Sequence, residues 1–299
     1  MTKTAWVFPG QGSQAIGMGA DLLNLPAAKA KFELAKEILG WSVPEVCQKE
    51  EAKLSRTLYT QPCLFVVESI LADLMREKSD RPAVVAGHSL GEYVALYAAG
   101  VFDFETGLRL VKRRAELMET ASGGQMVALI GFDRQELELQ IQYSRDVVLA
   151  NDNSEAQVVI SGTPTAVEDL LAKIKVKRAV KLNVSGAFHS PLMAGVAAEF
   201  QLALKSARFS DAKMLVLSNS EPTATTSAAT LKQRLNYQMT KGVRWREISL
   251  QLPQQGIDRV VEIGPGKVLT GLIKRTCPNL ALVNVSSFAD LPAQLTVDS

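Results

Sequence analysis

The stretch Ala83-Val84-Val85-Ala86-Gly87-His88-Ser89-Leu90-Gly91-Glu92 decides the fold of this 299-residue chain. Its apolar start predicts a buried strand, and the residues from 92 to 99 predict a helix. A Gly-x-Ser-x-Gly sequence between strand and helix is typical of a nucleophile elbow. The glycines let the backbone bend where a Cβ would clash, and the helix directs amide N–H groups toward an oxyanion. The pattern predicts a catalytic serine, Ser89, and the alternative is a plain strand-to-helix turn.

Composition excludes several classes of protein. The chain is 47% apolar and 21% charged, as in ordinary globular proteins, and its net charge of +2 excludes an electrostatic nucleic-acid binder. Cys47, Cys63 and Cys277 are odd in number and far apart, which excludes a disulfide framework or zinc knuckle and fits a reducing compartment. No signal-peptide region and no uninterrupted apolar stretch of membrane-spanning length is found. We expect a cytoplasmic protein with no metal, no nucleic acid and no membrane partner.

The spacing of turns and apolar residues divides the chain into two kinds of segment. After Ser122-Gly123-Gly124, the predicted elements follow the order β-α-β-β-α-β over 125–187, which is that of a ferredoxin-like module. Elsewhere, helices and strands alternate, which predicts a mostly parallel sheet. The predicted fold is therefore α/β, with an α/β-hydrolase-like large subdomain at 1–124 and 188–299. A ferredoxin-like α+β small subdomain is inserted at 125–187.

Several elements have predicted bounds that the structure can test. A helix is expected to start at Thr60, with Pro62 in its permitted first turn. The last strand of the small subdomain is expected at 179–184. The densest basic stretch, 173–181, predicts a solvated helix end running into that strand. Its alternative interpretation is a docking patch for an acidic partner.

A nucleophilic serine needs a general base, and the chain has only two histidines. His88 is adjacent to Ser89, and neighbouring side chains in an extended segment point to opposite faces, so we interpret it as a turn or packing residue. His189 precedes Ser190, which can cap a helix, and Pro191, which fits a first turn. That context leaves the ring free to project into a cleft. We therefore predict His189 as the base.

The residues themselves leave the reaction class open. Serine before histidine is also the chain order of α/β-hydrolases, in which a carboxylate orients the histidine. No Asp or Glu is singled out for that position by the sequence. A Ser–His dyad oriented by a backbone carbonyl would serve as well.

Two glycine-rich stretches carry weaker signals. Residues 10–15, Gly-Gln-Gly-Ser-Gln-Ala, formally match a dinucleotide fingerprint, but 28–38 looks helical where a second strand should lie. We interpret this stretch as a polar loop at a strand end, where Gln11 could lend a backbone N–H to an oxyanion. Residues 264–267, Gly-Pro-Gly-Lys, lack the spacing of a P-loop and predict a turn before a helix.

Taken together, these motifs resemble malonyl-CoA:acyl carrier protein transacylases, and the resemblance spans nearly the whole chain. The matching stretches are Phe8–Gln14, Gly87–Glu92, Lys112–Arg114, Ala150–Asn153, Gln157–Gly162, Gly186–Ser190, Tyr237–Met239, Val243–Trp245 and Glu262–Leu269. One departure is Gly242, where the family often has proline. We expect it to add backbone freedom near Gln238.

The resemblance implies a role for each site residue. Ser89 would form a malonyl-serine ester with His189 as base, and the backbone N–H groups of Gln11 and Leu90 would hold the oxyanion. Arg114 would bind the malonyl carboxylate, and the main-chain carbonyl of Gln238 would orient His189. Phe188 would select against an α-methyl branch. The alternative interpretation of Arg114 is a solvated helix residue.

The resemblance also implies substrates and partners. Malonyl-CoA and the phosphopantetheine thiol of an acyl carrier protein are the expected substrates, no cofactor is expected, and a monomer is expected. A free-standing chain favours fatty-acid synthesis over a polyketide pathway. Carrier proteins of this type are acidic, so basic residues should meet them; the candidates are Lys177, Arg178, Lys181, Lys267, Lys274 and Arg275. The rival functions are a serine thioesterase or esterase and a non-catalytic scaffold.

Overall fold

A computed structural model describes residues 2–79, 81–184 and 186–292. The strands in these ranges are β1 (Thr4–Phe8), β2 (Val84–Gly87), β3 (Gln125–Phe132), β4 (Val147–Ser154), β5 (Gln157–Gly162), β6 (Val176–Lys181), β7 (Leu215–Leu217), β8 (Arg259–Ile263) and β9 (Ala281–Val285). The helices are α1 (Pro26–Leu39), α2 (Val43–Lys49), α3 (Glu51–Leu54), α4 (Thr57–Lys78), α5 (Gly91–Ala98), α6 (Phe104–Thr120), α7 (Arg134–Gln142), α8 (Pro164–Leu171), α9 (Ala194–Ser206), α10 (Ala228–Tyr237), α11 (Trp245–Gln254) and α12 (Val268–Thr276).

The large sheet is parallel, in the order β7-β2-β1-β8-β9. Its central strands are buried on both faces, which explains why β2 is a continuous apolar run. Phe8 pairs with Gly87 at the carboxyl ends of β1 and β2, so the loops that follow these two strands leave the sheet side by side. Ligands bind at this edge of open α/β sheets. The predicted α/β fold with a parallel sheet is confirmed.

The small sheet is antiparallel, in the order β4-β5-β3-β6. Its apolar side chains form a core of their own with α7 and α8. The element order and the antiparallel pairing are those of the predicted ferredoxin-like module. All four strands lie within 125–187, and the exact subdomain boundaries stay a prediction.

Two predicted bounds were wrong. The last strand of the small sheet, β6, spans Val176–Lys181 and not 179–184. It is an edge strand with mostly exposed side chains, and its bounds are set by pairing with β3. The sequence therefore lacks the apolar alternation that would have located it. Helix α4 begins at Thr57, which places Pro62 inside the helix beyond its first turn. Burial of nearly the whole helix outweighs the hydrogen bond that proline lacks.

Helix α4 is the only element of the described residues that is long and apolar enough to cross a membrane by length and composition. Of its most apolar stretch, 83% is buried inside the protein. It contacts α5 and α6 and contributes to the largest apolar core. A buried core helix meets the same criteria of length and composition, so these criteria give little support for a membrane span.

Strand β4 connects the small sheet to the segment that follows α10. The N–H of Asp152 donates to the carbonyl of Val243 at 2.9 Å, and the N–H of Val243 donates to the carbonyl of Ala150 at 2.8 Å. A Cβ at Gly242 would lie 2.7 Å from the carbonyl oxygen of Leu149. Gly242 therefore permits a close approach of two main chains, and its effect on backbone freedom near Gln238 stays a prediction.

Candidate active site

The turn between β2 and α5 is tightly packed. A Cβ at Gly87 would lie 2.0 Å from the backbone of Gly91, and a Cβ at Gly91 would lie 2.0 Å from the carbonyl oxygen of Phe8. Between these glycines, Ser89 has a φ of 51°, in the left-handed region that side chains with a Cβ rarely adopt. The elbow therefore needs both glycines, and it holds the serine in a strained conformation at the carboxyl edge of the parallel sheet.

His189 lies within hydrogen-bonding distance of Ser89, and His88 does not. The Nε2 atom of His189 is 2.8 Å from Oγ of Ser89, and its Nδ1 is 2.7 Å from the main-chain carbonyl oxygen of Gln238. Because a carbonyl only accepts, Nδ1 carries the proton and Nε2 is free to accept the serine proton. His189 also has a positive φ, 58°. A backbone carbonyl thus occupies the place that a carboxylate takes in a hydrolase triad.

The environment of His189 keeps its ring neutral. Burial lowers its pKa to about 3, and the positive charge of Arg114 acts in the same direction. A neutral imidazole beside a serine hydroxyl has the protonation state that a general base requires at pH 7.

Arg114 is fully buried, although charged side chains are usually solvated. Its Nη2 atom donates to Oγ of Ser89 at 3.0 Å and to Oε1 of Gln238 at 3.1 Å. Nε and Nη1 have no hydrogen-bond partner among the described residues. The solvated-helix interpretation of Arg114 was therefore wrong: the helix turns this guanidinium inward, and it has free donors beside the serine.

One cavity of about 390 Å³ joins the predicted residues. Its lining includes Ser89, His189, Arg114, Gln11, Leu90 and Phe188. Gln238 is fully buried behind it. Among the described residues, the backbone N–H groups of Gln11 and Leu90 donate no hydrogen bond. A Cβ at Gly10 would lie 3.6 Å from the backbone nitrogen of Leu90, so the loop after β1 packs against the start of α5. Two residues with free backbone donors thus line the same cavity as the serine.

His88 faces away from the serine, as expected for a packing residue. Its Nε2 lies 2.8 Å from Oδ1 of Asn153, and its ring packs against Trp245 with the centroids 5.6 Å apart. Burial lowers the pKa of His88, so the ring is neutral and donates to the asparagine. This hydrogen bond ties the elbow to strand β4 of the small sheet.

Sequence reasoning missed two buried residues beneath the serine. Asn219 accepts from the N–H of Ser89 at 2.7 Å and donates to the carbonyl of Gly87 at 2.6 Å. Glu92 accepts from Nε2 of Gln238 at 2.7 Å. Asn219 follows a three-residue strand and has no motif of its own. Glu92 lies in the elbow stretch Gly87–Glu92, but the sequence does not indicate that its side chain is buried.

The described residues contain no group of three or more His, Cys, Asp or Glu side chains that could hold a metal ion. The residues that line the cavity include a serine, a histidine, an arginine and two residues whose backbone N–H groups donate to no described acceptor. That set suits attack on a carbonyl carbon of a ligand that carries a negative charge.

Comparison with known proteins agrees with this arrangement. Residues 5–292 match the acyl transferase domain. A malonyl CoA-acyl carrier protein transacylase from Synechocystis is 58% identical over 289 residues, which cover 97% of this chain and 99% of the relative.

Solved structures give the same relationship. The crystal structure of the Synechocystis malonyl-CoA:ACP transacylase superposes with a TM-score of 0.94 at 58% identity, covering 96% of this chain and 98% of that chain. A malonyl-transacylase in complex with its type II PKS acyl carrier protein superposes with a TM-score of 0.91 at 36% identity, covering 97% of both chains. This chain belongs to the acyl transferase domain family.

Proposed function

We propose that this chain transfers the malonyl group of malonyl-CoA to the phosphopantetheine thiol of an acyl carrier protein through a malonyl ester on Ser89. The observation that carries this proposal is the buried guanidinium of Arg114, 3.0 Å from the serine hydroxyl, with two unpaired nitrogens. An acyl group with a terminal carboxylate would satisfy them. The printed name of the Synechocystis relative, a malonyl CoA-acyl carrier protein transacylase, supports the same reaction.

In the loading step, Nε2 of His189 accepts the proton of Ser89 as Oγ attacks the thioester carbonyl. The N–H groups of Gln11 and Leu90 would stabilise the oxyanion. Collapse of this intermediate breaks the C–S bond, and the proton on His189 passes to the leaving thiolate of CoA. The carbonyl of Gln238 holds the imidazole by Nδ1 and favours its imidazolium form during the step.

The second step reverses the first with a new thiol. His189 accepts the proton of the phosphopantetheine thiol, whose sulfur attacks the ester carbonyl. The C–O bond to Ser89 breaks, and the proton on His189 returns to Oγ. Water is the competing acceptor, and burial of most of the site limits its access.

Acyl selection follows from two of the residues that line the cavity. Arg114 offers a planar guanidinium, which suits a carboxylate better than a lysine ammonium does. An acetyl group would leave that buried charge unpaired. Phe188 is 5% exposed, precedes His189 in the chain and lines the cavity, where it would disfavour an α-methyl branch.

The acidic partner would meet basic side chains at two walls of the cavity. Lys177, Arg178 and Lys181 lie on β6, which runs into the cavity-lining residues 182–184, and Lys267 precedes the cavity-lining Val268 of α12. Lys274 and Arg275 lie in the last turn of the same helix. All six are exposed, and among the described residues none has an ion pair. Changing Lys177 and Lys181 to Glu should raise KM for the carrier protein and leave loading from malonyl-CoA unchanged.

The biosynthetic pathway is proposed to be fatty-acid synthesis. The alternative, a polyketide-pathway acyltransferase, is supported by the similar malonyl-transacylase solved with a type II PKS carrier protein. Comparing kcat/KM for a fatty-acid carrier protein and a polyketide carrier protein separates the two. A serine thioesterase or esterase is less well supported, because no carboxylate contacts His189 in the described residues.

We further propose a cytoplasmic monomer. The three cysteines are buried and unpaired, which suits a reducing compartment. Light scattering of the purified chain tests the oligomeric state.

Intact-mass analysis after exposure to malonyl-CoA tests the central proposal. We expect one malonyl adduct on Ser89, which disappears when phosphopantetheinylated carrier protein is added, and none in Ser89→Ala. Rapid release of free malonate without an acceptor would instead indicate a hydrolase. Full function of Ser89→Ala would indicate a non-catalytic scaffold.

A further inference from the structure

A carboxylate lies beneath the site without touching the cavity. Glu92 is 1% exposed, and its Oε2 accepts hydrogen bonds from Nε2 of Gln238 at 2.7 Å and from the N–H of Asn219 at 3.3 Å. Its Oε1 has no hydrogen-bond partner among the described residues. One oxygen of this buried carboxylate is therefore held, and the other is free to carry a proton.

The side chain of Gln238 connects this carboxylate to Arg114. Its Oε1 accepts from Nη2 of Arg114 at 3.1 Å, and its Nε2 donates to Glu92. The amide of Gln238 thus bridges the positively charged Arg114 and the carboxyl group of Glu92. When Glu92 is ionised, the buried charges of Arg114 and Glu92 sum to zero.

Two other titratable groups, Tyr93 and Arg234, interact electrostatically with Glu92. Tyr93 on the same helix is buried, and burial raises its pKa, so it stays neutral. Arg234 on α10 is partly exposed and interacts electrostatically with both Glu221 and Glu92. Burial raises the pKa of Glu92 to about 7, opposed by its hydrogen bonds from Gln238 and Asn219, by the nearby Ser218 hydroxyl and by the charge of Arg114. Both forms of Glu92 are therefore populated near neutral pH.

We propose that Glu92 is a charge-balancing positioning residue, and that binding of the malonyl carboxylate by Arg114 is coupled to the uptake of one proton by Glu92. This inference rests on the proposed function. A malonyl carboxylate adds one negative charge to a buried pair that was neutral, and an uncompensated buried charge is costly. Protonation at the free Oε1 returns the sum to zero without breaking either hydrogen bond at Oε2.

The proton on Glu92 comes from solvent and is separate from the chemical step. In loading, the Ser89 O–C bond forms, the thioester C–S bond breaks, and the serine proton leaves on the CoA thiol. That exchange is the same for malonyl-CoA and acetyl-CoA. Since acetyl brings no charge to Arg114, only malonyl loading requires the additional proton.

The ratio of malonyl to acetyl loading rates isolates this coupling. The pH effects of His189 and of the departing thiol are common to both substrates, so they cancel in the ratio of kcat/KM values. Below about pH 7, Glu92 is already protonated and the ratio should be constant. Above it, the ratio should fall by up to about tenfold per pH unit, the limit for uptake of one proton.

Two variants complete the first experiment. Glu92→Gln keeps an acceptor for Gln238 and removes the titration, so its ratio should be constant from pH 6 to 9. Glu68→Gln is the matched control, because Glu68 is also fully buried and burial raises its pKa, with Glu262 acting in the same direction. It should retain the wild-type fall. A constant wild-type ratio, or the same fall in Glu92→Gln, would overturn the proposal.

A second measurement needs only the wild-type protein. In weakly buffered solution at pH 7.5 with an indicator dye, malonyl loading should take up a substantial fraction of a proton per Ser89, and acetyl loading should take up none. Equal uptake with both substrates contradicts the coupling, and uptake retained in Glu92→Gln would place the proton on His189. Absence of any adduct by intact mass defeats the proposed function and this inference with it, whereas adducts with a constant ratio defeat the inference alone.

Discussion

The side chain of Asn219 holds both arms of the serine turn, accepting from the N–H of Ser89 at 2.7 Å and donating to the carbonyl of Gly87 at 2.6 Å. Asn219 is fully buried, so removing it leaves two backbone groups without partners. We expect Asn219→Ala to lower the free energy of unfolding by about 2–4 kcal/mol. Urea denaturation measures it, with Asn279→Ala in an exposed turn as the control. Equal stability of the two variants would contradict this role.

Arg114 should determine acyl specificity. Arg114→Ala removes the charge that pairs with the malonyl carboxylate, which we expect to cost about 3 kcal/mol or more in malonyl loading, a loss of at least about 100-fold. Acetyl loading should survive or rise. Rates of adduct formation from the two CoA esters provide the measurement. An equal loss with both esters would show that Arg114 acts on the serine and not on the carboxylate.

The burial of His189 should make the protein sensitive to acid. Its pKa in the folded state is about 3 and its ordinary value is 6.5, so the unfolded chain binds a proton that the folded chain does not as pH falls below 6.5. The free energy of unfolding should therefore decrease by about 1.4 kcal/mol for each pH unit below 6.5, which amounts to about 2 kcal/mol at pH 5.

Comparison with a variant isolates this contribution from the other titrating groups. His189→Gln should lose about 2 kcal/mol less between pH 7 and pH 5 than the wild type, as measured by urea denaturation at both values. The same loss in both proteins would show that another group causes the acid sensitivity.

Two glycines should respond to alanine in opposite ways. A Cβ at Gly91 would collide with the carbonyl oxygen of Phe8, whereas nothing lies within 4 Å of one at Gly195 in helix α9. We expect Gly91→Ala to abolish the native elbow and activity. Gly195→Ala should stabilise the protein by about 0.5–1 kcal/mol, because alanine favours a helix. Thermal unfolding and loading assays measure both, and an active, stable Gly91→Ala would contradict the packing described above.

The sequence predicted the features that depend on local patterns. The elbow, the parallel sheet and the antiparallel module follow from glycine spacing, apolar runs and element order, because these patterns reflect the backbone directly. The proximity of His189 to Ser89 was inferred from the scarcity of histidine. Strand β6 and the start of α4 were misplaced because exposed pairing and deep burial, both tertiary effects, define them.

The sequence does not reveal the buried polar residues that lie beneath the site. Asn219, Glu92 and the side chain of Gln238 come from three distant segments, and their hydrogen bonds exist only once the sheet has formed. Arg114 resembles any other arginine of a charged helix until the fold shows that it is fully buried. No periodicity indicates which polar residues a fold will bury together.

The positive φ angles of Ser89 and His189 have a consequence for how the protein loses activity. Apart from glycines, they are the only described residues in the left-handed region, and each relies on its surroundings to stay there at a cost of about 1–3 kcal/mol. A mild perturbation can relax these two backbones while the sheets persist. Turnover should therefore be a more sensitive reporter of damage than secondary structure, failing at denaturant concentrations where circular dichroism still reads a native fold.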